Sequence, residues 1–142
     1  MSGGPRRAVH LTPEQRVFVL ERHLATLTTL RPDGSPHVVP IAFTWDADRG
    51  EAWMTTLDGS AKVRNVETAR AAGLPARAAV CQVAGGRWLT LEGTLVVDRD
   101  AAAVAEAERR HAVRHAALEP EPRRVVLRLR VDRVLGSDYM TR

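Results

Sequence analysis

The segment Thr55-Thr56-Leu57-Asp58-Gly59-Ser60-Ala61-Lys62-Val63-Arg64-Asn65 ends a strand pattern, turns at a glycine and opens a helical one. A junction of that kind is either an anion site or a plain N-cap with a solvated lysine. The first N–H groups of the helix have no intrahelical acceptor, the positive end of its dipole faces the turn, Ser60 caps or donates, and Lys62 adds a full charge. A phosphate suits this chemistry. Lys62 is also the one lysine in a chain with 20 arginines. Where composition has drifted so far toward arginine, a surviving lysine marks a place that favours a compact ammonium over a planar fork.

Other groupings have less to offer. Glu108, His111 and His115 share one helical face, and the two histidines have metal-pair spacing, but Arg109, Arg110 and Arg114 repel a cation. That face reads as a solvated one, and no metal is expected. The chain has no Gly-x-Ser-x-Gly elbow, no glycine-rich dinucleotide fingerprint and no P-loop, so no protein nucleophile is assigned. Trp45, Trp53 and Trp88 read as core residues, although Trp88 follows directly on a hairpin turn. The net charge of +4 comes from arginines spread over every element with acidic residues between them, and aromatics are 4% of the chain. A nucleic-acid partner is not expected from such a pattern.

The elements that must position these groups follow from the 142-residue length and the patterning. One domain is expected over residues 11–142, behind a mobile tail at 1–10 that carries Gly3-Gly4-Pro5. No apolar run is long enough for a membrane span, no signal-peptide core follows Arg6-Arg7, and the single Cys81 excludes an internal disulfide. A cytoplasmic protein with one buried thiol is the expectation. Thr12-Pro13-Glu14-Gln15 starts a helix that ends near His23, with Val17, Leu20 and Leu24 on its buried stripe. Strands then follow at 24–30, 37–45 and 51–57, a helix at 61–71, a Gly85-Gly86 hairpin joining 76–84 to 87–98, a helix to about Ala117 and a last strand at 124–135. Along 37–45, His37, Val39, Ile41, Phe43 and Trp45 share one face. Six antiparallel strands with flanking helices describe an α+β fold closed as a small barrel.

This order of elements resembles the split β-barrel superfamily of pyridoxamine 5'-phosphate oxidase and the flavin and deazaflavin oxidoreductases. The run from Leu24 to Pro40 resembles the first hairpin of its F420-dependent branch, and Ser60-Ala61-Lys62-x-x-Asn65 resembles that branch's cofactor-phosphate motif. Gly86-Arg87-Trp88-Leu89-Thr90-Leu91-Glu92-Gly93, with the stretches 122–127 and 133–137, is similar to the actinobacterial F420H2-dependent biliverdin reductases. The link from Asn65 to Ala78 is longer than the usual connection of that group.

The resemblance implies a six-stranded split barrel of the FMN-binding type that takes coenzyme F420, with FMN as the alternative. It implies hydride transfer to a tetrapyrrole, biliverdin going to bilirubin, and a homodimer with its cleft between protomers. Ser60, Ala61, Lys62 and Asn65 would hold the phosphate end, with Thr55 and Thr56 beside it. His37, Val38 and Val39 would wall the ring, and Gln82 and Trp88 would reach the same cleft. Two readings keep the fold and change the role: an FMN-dependent oxidase, and a carrier that binds a flavin or tetrapyrrole without turnover.

Overall fold

The computed structural model describes residues 8–141. Helix α1 (Pro13–Leu20) opens on a capping box: Gln15 N–H donates to Thr12 Oγ1 at 3.2 Å, and Thr12 N–H donates to Gln15 Oε1 at 2.8 Å. The helix stops at Leu20, short of His23, and buries Gln15, Phe18 and Val19. The expected stripe is wrong: Val17, Leu20 and Leu24 are 60%, 72% and 68% exposed. In a helix of two turns the largest apolar side chain decides the orientation, and here Phe18 turns inward beneath the Arg87 guanidinium, 4.8 Å from its ring centroid. Of the expected tail, residues 1–7 lie outside the described residues, whereas Val9 packs on the core.

The strands are β1 (Ala25–Leu30), β2 (Pro36–Ile41), β3 (Thr44–Asp46), β4 (Glu51–Leu57), β5 (Arg77–Ala84), β6 (Arg87–Asp98) and β7 (Arg124–Gly136). Helix α2 (Ala61–Ala71) follows β4, α3 (Ala101–Arg114) follows β6, and α4 (Asp138–Thr141) comes last. The fold is α+β, with one antiparallel sheet in the order β2-β1-β5-β6-β7-β4-β3. It has seven strands where six were expected, because the segment 37–45 is two strands on opposite edges. β2 pairs with β1 and β3 pairs with β4, and only Ala42 and Phe43 lie between them. The break has a physical cause: the Phe43 carbonyl accepts from the Arg114 guanidinium and from His115 Nε2, and so is drawn toward α3 rather than into a ladder. The three steps from Ile41 to Thr44 span at most ~11 Å, so the sheet curls to bring its two edges close together.

Inside the curl lie Leu27, Phe43, Met54, Val80, Leu89, Leu91, Leu95, Leu127 and Leu129, all essentially without solvent contact. Gly93 permits the tightest approach: a Cβ there would stand 2.0 Å from the Arg130 carbonyl, beside the register shift between Glu92 and Gly93. A second, smaller cluster of Trp53, Ala107 and Val126 seats α3 on the outside of β4 and β7. Arg110 lies 4.7 Å and Arg128 5.2 Å from the Trp53 ring centroid, and Arg128 also bonds the buried Glu51 at 2.9 Å. Helix α3 is capped by Asp100 and ends at Arg114, three residues before Ala117. Cys81 is half-buried, not buried, since its neighbours Val80 and Gln82 take the inward positions. No helix among the described residues is long and apolar enough to cross a membrane.

Candidate functional site

The strand-to-helix junction forms as its sequence dictates. β4 ends at Leu57, Gly59 adopts φ +83° in the turn, and Ser60 caps α2 with its side chain toward Val63 N–H. Thr56 Oγ1 and Ser60 Oγ are 3.3 Å apart, so the end of the strand and the cap share one hydrogen bond. Lys62 stands in the first turn, partly buried, and burial pushes its ammonium below the ordinary lysine pKa. It has no acidic partner within ion-pair distance among the described residues. An ammonium placed so is stabilised by any anion that joins it.

Asn65, one turn on, donates from Nδ2 to Thr29 Oγ1 at 3.0 Å, which fixes its amide. Thr29 is 2% exposed on the inward row of β1, opposite His37 in the ladder. His37 Nδ1 is enclosed and has no hydrogen-bond partner, alone in this among the described side chains. Thr56, Ser60, Ala61, Lys62 and Asn65 therefore gather around the start of α2, and Thr29 ties them to His37 in the β1–β2 ladder, whereas Thr55 turns to the opposite face of β4 with Trp53. Beyond Asn65, the same helix face closes a mostly apolar cavity of about 320 Å³ with Leu30, Val66, Ala69, Leu74 and Leu95.

A family model described as pyridoxamine 5'-phosphate oxidase matches residues 11–138. The chain belongs to that family. Within the pyridoxamine 5'-phosphate oxidase family it is 46% identical over 127 residues to an F420H2-dependent biliverdin reductase of Mycobacterium tuberculosis, covering 89% of this chain and 88% of the relative. Among solved structures it resembles a conserved hypothetical protein of M. tuberculosis, with TM-score 0.76, 21% identity and coverage of 97% and 91% of the two chains. An F420 reductase matches with TM-score 0.70 at 21% identity, covering 88% of this chain and 98% of that one. A putative pyridoxamine 5'-phosphate oxidase of Listeria innocua gives 0.66 at 17% identity, with coverage of 87% and 95%.

Against this family frame, the residues singled out in the sequence divide into two groups. His37 and Val39 point inward beside Thr29, whereas Val38 is 56% exposed on the opposite face of β2. Gln82 is fully buried: its Nε2 donates to the Phe18 carbonyl at 2.8 Å and its Oε1 accepts from Arg114 Nη2 at 2.7 Å. Trp88 is exposed at the β5–β6 turn, not in the core. His37 lies level with Thr29, Ala78 and Gly93 across the sheet, and Trp88 lies five residues further along β6, ~17 Å away at strand rise. Within one chain Trp88 and the α2 cradle are at different ends of the sheet.

Two residues that brace the candidate site escaped sequence reading. Thr29 carries a signal, since a polar residue in the inward row Ala25-Leu27-Thr29 needs a partner there. Arg114 carries none, because 20 arginines hide the one that reaches Gln82. Its guanidinium donates to the carbonyls of Glu21 and Phe43 and to Gln82, and desolvation lowers its pKa to about 10. Of the helical trio, Glu108 pairs with Arg124 at 2.6 Å and His115 faces Phe43, so both are used in packing α3.

Proposed function

We propose that the protein is an F420H2-dependent reductase that delivers hydride to a tetrapyrrole, with biliverdin as its substrate. The observation that carries the reading is the 46% identity, over nine-tenths of both chains, to an F420H2-dependent biliverdin reductase, in a chain whose α2 start presents Ser60, Lys62 and Asn65 together. The residues fit the cofactor. A phosphate needs a desolvated cation and N-terminal helix amides, which Lys62 and the α2 start supply, and a deazaflavin needs an apolar wall, which β2 offers at Val39 beside His37. FMN has less support, because the first turn of α2 offers only one cation besides Lys62, the exposed Arg64, and the neighbouring Arg99 is held by Asp58 and Glu67.

In this reading Lys62 neutralises the phosphate, Ser60 and Ala61 present the first amides of α2, and Thr56 lines the strand beside them. Asn65, held by Thr29, orients the same end, and His37 offers its unpartnered Nδ1 to a polar edge of the ring. Reduced F420, when bound, supplies the hydride, so no side chain need act as nucleophile. The protein's task is to bind, orient and exclude water.

The rest of the arrangement follows as part of the same proposal. The curl of the sheet between β2 and β3 reads as a split barrel. Its outer face over β1, β2, β5 and β6 carries Thr26, Thr28, Leu30, Val38, Cys81, Val83 and Trp88, a largely uncharged surface, with Arg77 and Glu92 toward one end, that suits a second copy. A homodimer on this face would bring the Trp88 end of one chain against the α2 end of the other, and Trp88 would then reach a shared cleft. Gln82 would support that cleft from behind, through Arg114 and Phe18. The unpaired Cys81 accords with a cytoplasmic protein.

The test is to titrate the protein with F420 and with FMN in parallel, then add biliverdin to the reduced F420 complex and follow bilirubin by absorbance. Tight F420 binding with bilirubin formation supports the proposal. FMN binding in preference, or F420 binding without oxidation by biliverdin, overturns it in favour of an oxidase or a carrier. Light scattering should give about twice 15.6 kDa.

A further inference from the structure

Arg99 lies outside every motif that pointed to the cradle, in the short connection between β6 and α3, yet its side chain reaches back to the cradle's turn. Its Nε and Nη2 donate to Asp58 Oδ2 and Oδ1, both at 2.9 Å, and Nη2 also donates to Glu67 Oε2 at 2.8 Å. Asp58 is the second residue before the Ser60 cap, in the turn closed by the Ser60 N–H to Leu57 carbonyl bond, and its own N–H donates to Arg123. Glu67 is on α2 itself, five residues after Lys62. One guanidinium thus holds both carboxylates that the cradle's own turn and helix bring close to it.

We infer that Arg99 is the positioning residue of the anion cradle: it neutralises Asp58 and Glu67 and so keeps their charge from opposing the incoming phosphate. Without it, the turn and helix that must receive an anion would carry two uncompensated negative charges, and these would repel the phosphate. The groups are about half exposed, so this effect is an electrostatic one on ligand binding and only a small one on folding. The inference rests on the cradle reading above.

The experiment measures the F420 dissociation constant and the melting temperature of the full-length protein for five variants. Arg99→Ala should raise the constant by about five- to tenfold at low salt, with that loss shrinking at high salt, while the melting temperature moves by no more than about 2 °C. Arg99→Lys should recover part of the affinity, since it keeps the charge and loses the fork. Asp58→Asn with Glu67→Gln, made in the Arg99→Ala background, should bring the constant back to within about twofold of the parent, because the carboxylates that Arg99 masked are gone. The same pair with Arg99 retained should bind F420 more tightly than the parent.

Two results overturn the inference: an unchanged constant in Arg99→Ala, or a loss that the two neutral substitutions do not restore. Lys62→Ala separates this failure from that of the cradle itself. If Lys62→Ala weakens F420 binding and Arg99→Ala does not, the role of Arg99 is wrong and the cradle stands. If neither does, the cradle is wrong.

Discussion

Replacing Gln82 by leucine separates a residue that supports the site from one that touches the cofactor. Gln82 has no solvent exposure, and its two ends are used at 2.8 Å to the Phe18 carbonyl and 2.7 Å from Arg114. Leucine nearly conserves volume, so the cost is not a cavity but two stranded polar groups: a helix carbonyl and one N–H of a partly buried guanidinium. Each costs ~1–3 kcal/mol, and the apolar side chain returns a part, which leaves ~3 kcal/mol. In a chain of this size that lowers the melting temperature by ~10 °C, to be read by calorimetry at fixed protein concentration. The F420 dissociation constant of the folded variant should stay within about twofold of the parent. A tenfold weaker constant with an unmoved melting temperature would refute the reasoning, since the amide would then serve the ligand and not the interior.

Lys62→Ala should raise the F420 dissociation constant at least about tenfold with little change in melting temperature, as a charge-assisted contact is worth ~1.5–3 kcal/mol, and Lys62→Arg should recover only part. Because burial lowers the Lys62 pKa in the free protein, F420 affinity should begin to fall with rising pH before 10.5, and titrations at a series of pH values will register it. Glu21, held to a pKa of about 2 by hydrogen bonds from Arg87 and then His23, contributes stability that is fully present above 4.5 and is lost as pH falls toward 2. Arg87→Ala should therefore bring the Glu21 carboxyl back toward 4.5 in an NMR titration and flatten the acid limb of stability. Gly93→Ala, with its Cβ 2.0 Å from the Arg130 carbonyl, should fold poorly or melt far lower, by circular dichroism.

Local signals carried much of this molecule. The Thr12 capping box, the Ser60 cap with Gly59 before it, and the Gly85-Gly86 hairpin are interactions within four or five residues, and the bounds of β4, α2 and β6 follow directly from them. The cradle of Ser60, Lys62 and Asn65 was legible for the same reason: it is one contiguous segment whose chemistry lies in its order. Where local pattern misled, a distant group had outbid it. Val17, Leu20 and Leu24 form a proper helical stripe, yet Phe18 had a better place, under Arg87 and above the sheet.

The sequence by itself determined the bounds of most strands and helices and the contiguous run from Gly59 to Asn65, because each depends on side-chain period, caps and turn residues near in the chain. Only the tertiary structure decided which elements meet. It put β2 and β3 on opposite edges of one sheet, drew the Phe43 carbonyl to Arg114, joined Asn65 to Thr29, and set Trp88 at the far end of the sheet from Lys62. Those pairings connect residues 36 to 71 positions apart, and their energies depend on shape, desolvation and register in the folded molecule, for which the order of residues carries no local signal.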